Sequence, residues 1–317
     1  MIRNLLLGVA LLSTVVGCSL DQSATPPPNA SAHEVELPGA PVMVGAGDIA
    51  VCGSSGDVAT GKIADSVLTA YDGTIQSATF TLGDNAYPSG DGGVDNDLPR
   101  CFAPAWGTAR VMNAIHPAPG NHDYDSGSSD PYFSYFGGSA GEWGKGYYSY
   151  DIGDWHVVSL NSELYFEHGS SSEARQQEDW LRNDLNANRR LCTLAYFHRP
   201  LFSSGDHGST WEIQPLWIIL YDANADLILN GHEHHYERFL PQTPSGASDP
   251  ARGITEIITG TGGAELRGVH SPLARNSAFQ IRGHFGILKL TLGNAEYRHA
   301  FIDTDGTVWD AEGGKCH

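Results

Sequence analysis

Five short motifs supply oxygen and nitrogen donors in one fixed order: Gly47-Asp48, Gly83-Asp84-Asn85-Ala86-Tyr87, Gly120-Asn121-His122-Asp123, His198, and Gly231-His232-Glu233-His234. One Asp or Asn after a glycine is ordinary turn chemistry. A succession of such donors, each following an apolar, strand-like run, reads instead as a pair of metal sites. Two adjacent cations can clamp the attacking and leaving oxygens of a displacement at phosphorus, so the chemistry to expect is hydrolysis of phosphate esters.

The elements that must position these donors alternate along the chain. Val42–Ala46 reads as a strand that delivers Asp48, and Ala78–Leu82 as a strand that delivers Asp84. Between them, 57–71 carries Ile63, Val67 and Leu68 at helical spacing, with Asp57 as its cap. Tyr147–Tyr150 and His156–Leu160 read as a strand pair around Gly153-Asp154, and 173–189 as an amphipathic helix with Trp180, Leu181 and Leu185 inward. A strand over 193–197 delivers His198, a helix covers 211–221, and a strand over 226–230 delivers His232 and His234. The last third, with strands over 254–259, 285–292 and 297–303, is strand-rich. This order indicates an α/β fold of mixed sheets, in which ligands gather beyond the carboxyl ends of strands.

The chain of 317 residues is 40% hydrophobic and 17% charged, a globular composition. Its net charge of -19 leaves no basic stripe and excludes a nucleic-acid surface. An acidic protein that handles anionic phosphate must supply positive charge locally, and bound metal ions do that. Residues 1–17 read as a signal peptide: Arg3 precedes an apolar stretch, Leu5 to Val16, too short to span a bilayer. Val15-Val16-Gly17-Cys18 resembles a bacterial lipobox, which predicts a lipid on Cys18 and an exported lipoprotein anchored to a membrane and facing the periplasm or cell exterior; an ordinary secretory signal is the alternative. Residues 18–40, with Pro26-Pro27-Pro28, form a flexible tether, and 41–317 form one domain. The remaining cysteines, Cys52, Cys101, Cys192 and Cys316, allow three disulfide pairings, of which Cys52–Cys101 with Cys192–Cys316 is favoured over the others and over free thiols.

The motif set resembles the purple acid phosphatase branch of the calcineurin-like metallophosphoesterases. The similarity covers residues 42–236 for the motifs and continues into Gly260-Thr261-Gly262-Gly263-Ala264. It implies a four-layer sandwich, two mixed β-sheets face to face with flanking helices, without the extra N-terminal β-domain of large plant members. Carried over motif by motif, Asp48, Tyr87 and His234 would bind one ion, Asn121, His198 and His232 a second, and Asp84 would bridge them. Carboxylate and phenolate suit Fe(III); two imidazoles and an amide oxygen suit a divalent Zn, Fe or Mn. Tyr87 marks the purple branch, since phenolate on ferric iron is coloured.

The implied activity is hydrolysis of phosphate monoesters by attack of a metal-held hydroxide. His207, nine residues after His198, matches a substrate-contacting histidine and is expected to bind phosphate or act as general acid with Asp206 as neighbour. His122, oriented by Asp123, would donate to phosphate. Arg199 is an extra cation where many bacterial relatives carry a second His. His235 and Glu233 are expected to face away from the site, His116 to pack, and Asp91, Asp95, Asp97, Asp125 and Asp130 to be solvated. The alternatives are a phosphodiesterase or nucleotide phosphohydrolase on the same centre, and a non-catalytic surface binding module.

Overall fold

The computed structural model describes residues 37–88, 97–124, 128–166, 169–188 and 190–317. The segments read as signal peptide and tether lie outside the described residues up to residue 36, Cys18 included, as do Asp91, Asp95 and Asp125.

Two sheets carry the fold. The six-stranded one runs in the order β15 (Val308–Lys315), β14 (Glu296–Asp303), β13 (Gly286–Leu292), β1 (Val42–Ala46), β3 (Ser77–Leu82), β5 (Ile115–Ala118). The seven-stranded one runs β12 (Ser277–Ile281), β10 (Tyr236–Phe239), β11 (Thr255–Thr259), β9 (Leu227–Asn230), β8 (Cys192–Tyr196), β7 (Trp155–Ser159), β6 (Tyr148–Ile152). A small parallel pair, β2 (Ala50–Val51) with β4 (Ala86–Tyr87), holds the segment that carries Tyr87. Strands β1, β3 and β5 are parallel, as are β7, β8, β9 and β11, so the carboxyl ends within each group lie on one side.

Alternation along the strands separates three cores. Met43, Phe80, Leu82, Leu288 and Leu290 of one sheet meet Trp155, Leu194, Tyr196, Leu227 and Ile257 of the other in the central layer. Their neighbours Val44, Ala46 and Ile287 face outward against α1 (Gly56–Tyr71), α2 (Ala103–Trp106), α3 (Ala109–Asn113) and α4 (Asp130–Phe136). Val158, Ala195 and Ile228 face the other way, against α5 (Ser171–Ala187) and α6 (Gln214–Asp222). Both faces of the central strands are therefore buried, as expected where parallel strands are flanked by helices, while the outer strands β6, β12 and β15 are partly exposed. Truncating a fully buried aromatic such as Phe80 would cost about 3–5 kcal/mol.

Both favoured disulfides are present, with Cα–Cα distances of 4.7 Å for Cys52–Cys101 and 5.3 Å for Cys192–Cys316. The first fastens the loop after β2 to the segment before α2; the second ties β8 to the residue that follows β15. The strands over 115–118, 236–239, 277–281 and 308–315 escape sequence reading. The first contains Pro117, and the others mix charged or small residues into short apolar runs. Asp57 is not the cap of α1. Ser55 holds that position, and the Asp57 carboxylate accepts from Val51 N (3.2 Å) and Val58 N (2.7 Å).

Candidate metal centre

All five motifs follow carboxyl ends of parallel strands, and they meet in the seam between the sheets. The turns there are sharp. Asp48, Asp84 and His232 adopt φ of 58°, 50° and 69°, a left-handed conformation that costs about 1–3 kcal/mol for a residue other than glycine. Gly83, at φ 83°, sits under the His198 imidazole; a Cβ there would lie 2.6 Å from Nδ1. A Cβ at Gly120 would overlap the backbone nitrogen and Oδ1 of Asp84. The glycines ahead of the donors thus let one loop approach another.

Each carboxylate uses one oxygen for orientation and offers the other. Asp48 Oδ2 accepts from His232 N (2.8 Å), while Oδ1 faces the Tyr87 hydroxyl at 2.9 Å and His234 Nε2 at 3.2 Å. Asp84 Oδ1 accepts from His122 N (2.8 Å), while Oδ2 lies 2.9 Å from the Tyr87 hydroxyl and 3.2 Å from His198 Nε2. On the far side, His198 Nε2 is 3.1 Å from Asn121 Oδ1 and 3.1 Å from His232 Nδ1. His198 and His234 turn Nδ1 outward to the carbonyls of Leu82 (2.7 Å) and Glu265 (2.6 Å). Donating to those carbonyls keeps a proton on Nδ1 and turns Nε2 inward, the atom whose lone pair an ion would take in place of a proton.

These contacts form two groups that share Asp84 Oδ2. Bonds of about 2.0–2.2 Å from an ion to oxygen or nitrogen would set neighbouring ligands about 3.0–3.4 Å apart, close to the 2.9–3.2 Å spacing seen here. The donor set fits two ions with a bridging carboxylate. Electrostatics agree with that fit. Burial, then the charges of Asp48 and Asp84, push the Tyr87 hydroxyl well above its ordinary range. Ionising it as a ligand takes a strongly acidic cation. Burial opposes a proton on His198, yet Asp84 more than offsets it and lifts the imidazole to about 10, so protein charge alone favours a cation at this spot. Burial, then His198 and Arg199, hold His232 well below the usual histidine range.

Two rings flank the donors. His122 Nε2 stands 4.0 Å from Asp84 Oδ2, and its Nδ1 donates to the Pro88 carbonyl (2.6 Å). Asp123 does not orient that ring, contrary to the sequence reading. It is fully buried and accepts from Gly120 N (2.8 Å) and Asn85 Nδ2 (3.0 Å), so it shapes the turn beneath the site; burial and the charge of Asp84 raise it to about 7. His207 stacks on His232, with ring centres 4.4 Å apart. Its neighbour Asp206 pairs instead with His270 (3.2 Å), and the carboxylate facing His207 is Glu233, which accepts from His207 N (3.0 Å) and lies 3.4 Å from Nδ1.

Glu233 and His235 are both completely buried; Glu233 faces His207, and His235 Nε2 meets Glu237 at 3.2 Å. Asp97 is buried as well, against Cys101 and Arg100, and is not solvated. His116 packs as expected, stacked on Tyr150. Arg199 does reach the centre. Its Nη1 is 3.3 Å from His232 Nε2, its Nε donates to buried Glu163 (3.0 Å), and it lies over the Phe166 ring. The sequence offered no signal for Glu163 or Glu233, since a lone acidic residue reads as solvated until its burial is seen.

A two-sheet sandwich with paired donor groups at its seam defines a two-metal phosphoesterase fold. Residues 61–236 match the family model described as Calcineurin-like phosphoesterase, and the chain belongs to that family. Human acid phosphatase type 7 is 30% identical over 274 residues, covering 74% of this chain and 60% of that protein. Purple acid phosphatase 18 of Arabidopsis thaliana is 31% identical over 123 residues, covering 37% and 26%. Among solved structures, purple acid phosphatase PPD1 from yellow lupin superposes with a TM-score of 0.71 at 20% identity, covering 86% of this chain and 53% of that one. GAP50, the anchor in the inner membrane complex of Plasmodium, gives 0.69 at 12% identity, covering 87% and 89%. The chain spans 55% and 60% of the mouse and human acid phosphatases it matches. The fold is that of the metallophosphoesterases, and the family implies a di-metal centre.

Proposed function

We propose that this protein is an exported phosphatase that hydrolyses phosphate monoesters at a centre of two metal ions. The observation that carries this reading is the convergence of Asp48, Asp84, Tyr87, Asn121, His198, His232 and His234 at coordination-like spacing. Asp48, Tyr87 and His234 would hold Fe(III), the hard ion that a buried phenol needs in order to ionise; Asn121, His198 and His232 would hold a divalent Zn, Fe or Mn, with Asp84 shared. The pair would supply Lewis-acid charge to the phosphoryl oxygens and acidify a water as nucleophile.

The chain's own groups do the rest. His122 and His207 flank the donors, where a ring N–H can bind a phosphoryl oxygen or pass a proton to the leaving alkoxide. Glu233 fixes the backbone and ring of His207, and Asp123 fixes the turn bearing Asn121 and His122. Residues 1–17 act as an export signal and Cys18 as the lipid-bearing residue, with 41–317 as the catalytic domain. The chain enters the fold at Pro41, at the start of β1, whereas the donors lie beyond its other end. A lipid-held protein of this kind would act on small phosphorylated substrates.

The test is hydrolysis of 4-nitrophenyl phosphate by the purified protein as isolated, after chelation, and with iron plus zinc or manganese restored. Chelator-sensitive turnover that returns with metal supports the reading. Turnover of diesters alone would favour a phosphodiesterase. No turnover of either would favour a non-catalytic role.

A further inference from the structure

One cation beside the site is left without a carboxylate. Arg199 is braced by Glu163, and Arg100, Arg110, Arg190 and Arg238 pair with aspartates elsewhere. Arg267 instead presents Nη1 to the His207 ring, 3.0 Å from Nε2, and among the described residues it has no acidic partner. In a chain of net charge -19, an unpaired guanidinium over a ring that itself stacks on a metal-site histidine is a placed charge.

Its position is built. Arg267 N donates to the His234 carbonyl (2.9 Å), and His234 in turn donates to the carbonyl of Glu265, two residues before Arg267. The next residues are fastened to the His207 loop: Gly205 bridges Val269, His270 N donates to the Ser204 carbonyl (2.7 Å), and His270 Nε2 meets Asp206 at 3.2 Å. Ala274 N closes the arrangement on Ser204 Oγ (2.8 Å), and that hydroxyl is held by buried Glu237. The Arg267 turn and the His207 loop therefore form one unit, which keeps the guanidinium at the rim beside the general acid. Since general-acid catalysis by His207 places the leaving oxygen near that ring, the leaving group passes Arg267.

We propose that Arg267 recognises a second phosphate carried by the leaving group, so that this site favours a terminal phosphate joined to an already phosphorylated group, the phosphoanhydride of a nucleoside diphosphate being the simplest case. This deepens the phosphatase reading of the same centre and rests on it. With ADP, water adds at the β-phosphorus, the bond from that phosphorus to the bridging oxygen breaks with its electron pair staying on AMP, and orthophosphate and one proton are released. The α-phosphate of the departing AMP is the group that Arg267 holds, exchanging the N–H contact with His207 for a charge-assisted pair. AMP as substrate has the same base and ribose but a neutral leaving group.

The test compares kcat and KM for ADP, AMP and 4-nitrophenyl phosphate in the metal-restored wild type, R267Q and R267K. The expected result is an ADP-over-AMP preference in the wild type that falls about tenfold in R267Q, chiefly through KM for ADP, in keeping with loss of one charged hydrogen-bonding pair. R267K should recover part of the preference, because it keeps the charge and loses the fork. A fall by the same factor for ADP and AMP overturns the proposal and assigns Arg267 to the support of His207 alone. A wild type that turns over none of the three with metal restored overturns the phosphatase reading itself.

Discussion

The two sheets bring opposite chemistry to their common seam. Loops after β1, β3 and β5 of the six-stranded sheet carry the oxygen donors Asp48, Asp84, Tyr87 and Asn121; loops after β8 and β9 of the seven-stranded sheet carry His198, His232 and His234. The supports are opposite too. Carboxylates on the oxygen side are aimed by backbone amides, those of His232, His122 and Gly120. Loops on the nitrogen side rest on buried glutamates: Glu163 under Arg199, Glu256 under Leu201, Glu237 under Ser204, Glu233 under His207. An oxygen donor needs N–H groups behind it, and loops that present imidazoles and exposed amides need acceptors behind them. Each proposed ligand group draws residues from both sides, so metal binding would be coupled to the docking of the sheets.

The most severe way to break the coupling is to remove the one group both halves share. Asp84→Ala should lower turnover by at least about 10³-fold, the scale on which such electrostatic groups act, and elemental analysis should find both ions lost; a variant retaining full activity would sink the bridging assignment. Closing the seam sterically comes next. Gly83→Ala places a Cβ against His198 at a left-handed φ, and should cost about 2–4 kcal/mol of stability, read as a lowered Tm and a weakened second ion. A Tm equal to wild type would mean the loops can part without penalty.

A milder change sharpens the difference in supports. Glu233→Gln keeps an acceptor for His207 N but removes the charge near the ring, and turnover should fall about 10–100-fold with metal content retained. Loss of metal along with activity would instead make Glu233 part of the donor scaffold.

The last effect concerns pH. Burial raises Glu256 well above the ordinary carboxylate range, against the amide hydrogen bonds from Phe202 and Leu201 and with help from the nearby Glu237 charge. Its folded state therefore keeps a proton that the unfolded chain releases near 4.5, so the stabilisation is fully present below about pH 4.5 and declines by up to about 1.4 kcal/mol per pH unit as pH rises. Glu256→Gln should flatten the fall in Tm between pH 5 and pH 8. A slope identical to wild type would show that Glu256 titrates normally.

Much of the donor half of this comparison is visible in the chain, because a succession of polar residues with lone pairs, each placed after a short apolar run, has few other uses in that order. Strand positions were legible within a residue or two where both faces are buried, as in β3, β8 and β9. They were lost where charged residues sit inside the strand, as at Glu237 and Arg238 in β10. The braces were illegible for a related reason. A buried glutamate differs from a solvated one only in what surrounds it, and for Glu233 that is a loop 26 residues away.

The sequence by itself determined the kinds of donor, their order, the glycines that let loops cross, and hence the class of chemistry. Tertiary structure decided which atom of each donor faces the seam: Nε2 of His198 and His234 but Nδ1 of His232, one oxygen of each aspartate and not the other. It also decided that Glu233, rather than Asp206, stands behind His207, and that Arg267 stands beside it. Those choices depend on contacts such as His232 N to Asp48, 184 residues apart, which exist only when two separately patterned sheets pack face to face. Local spacing carries no record of them.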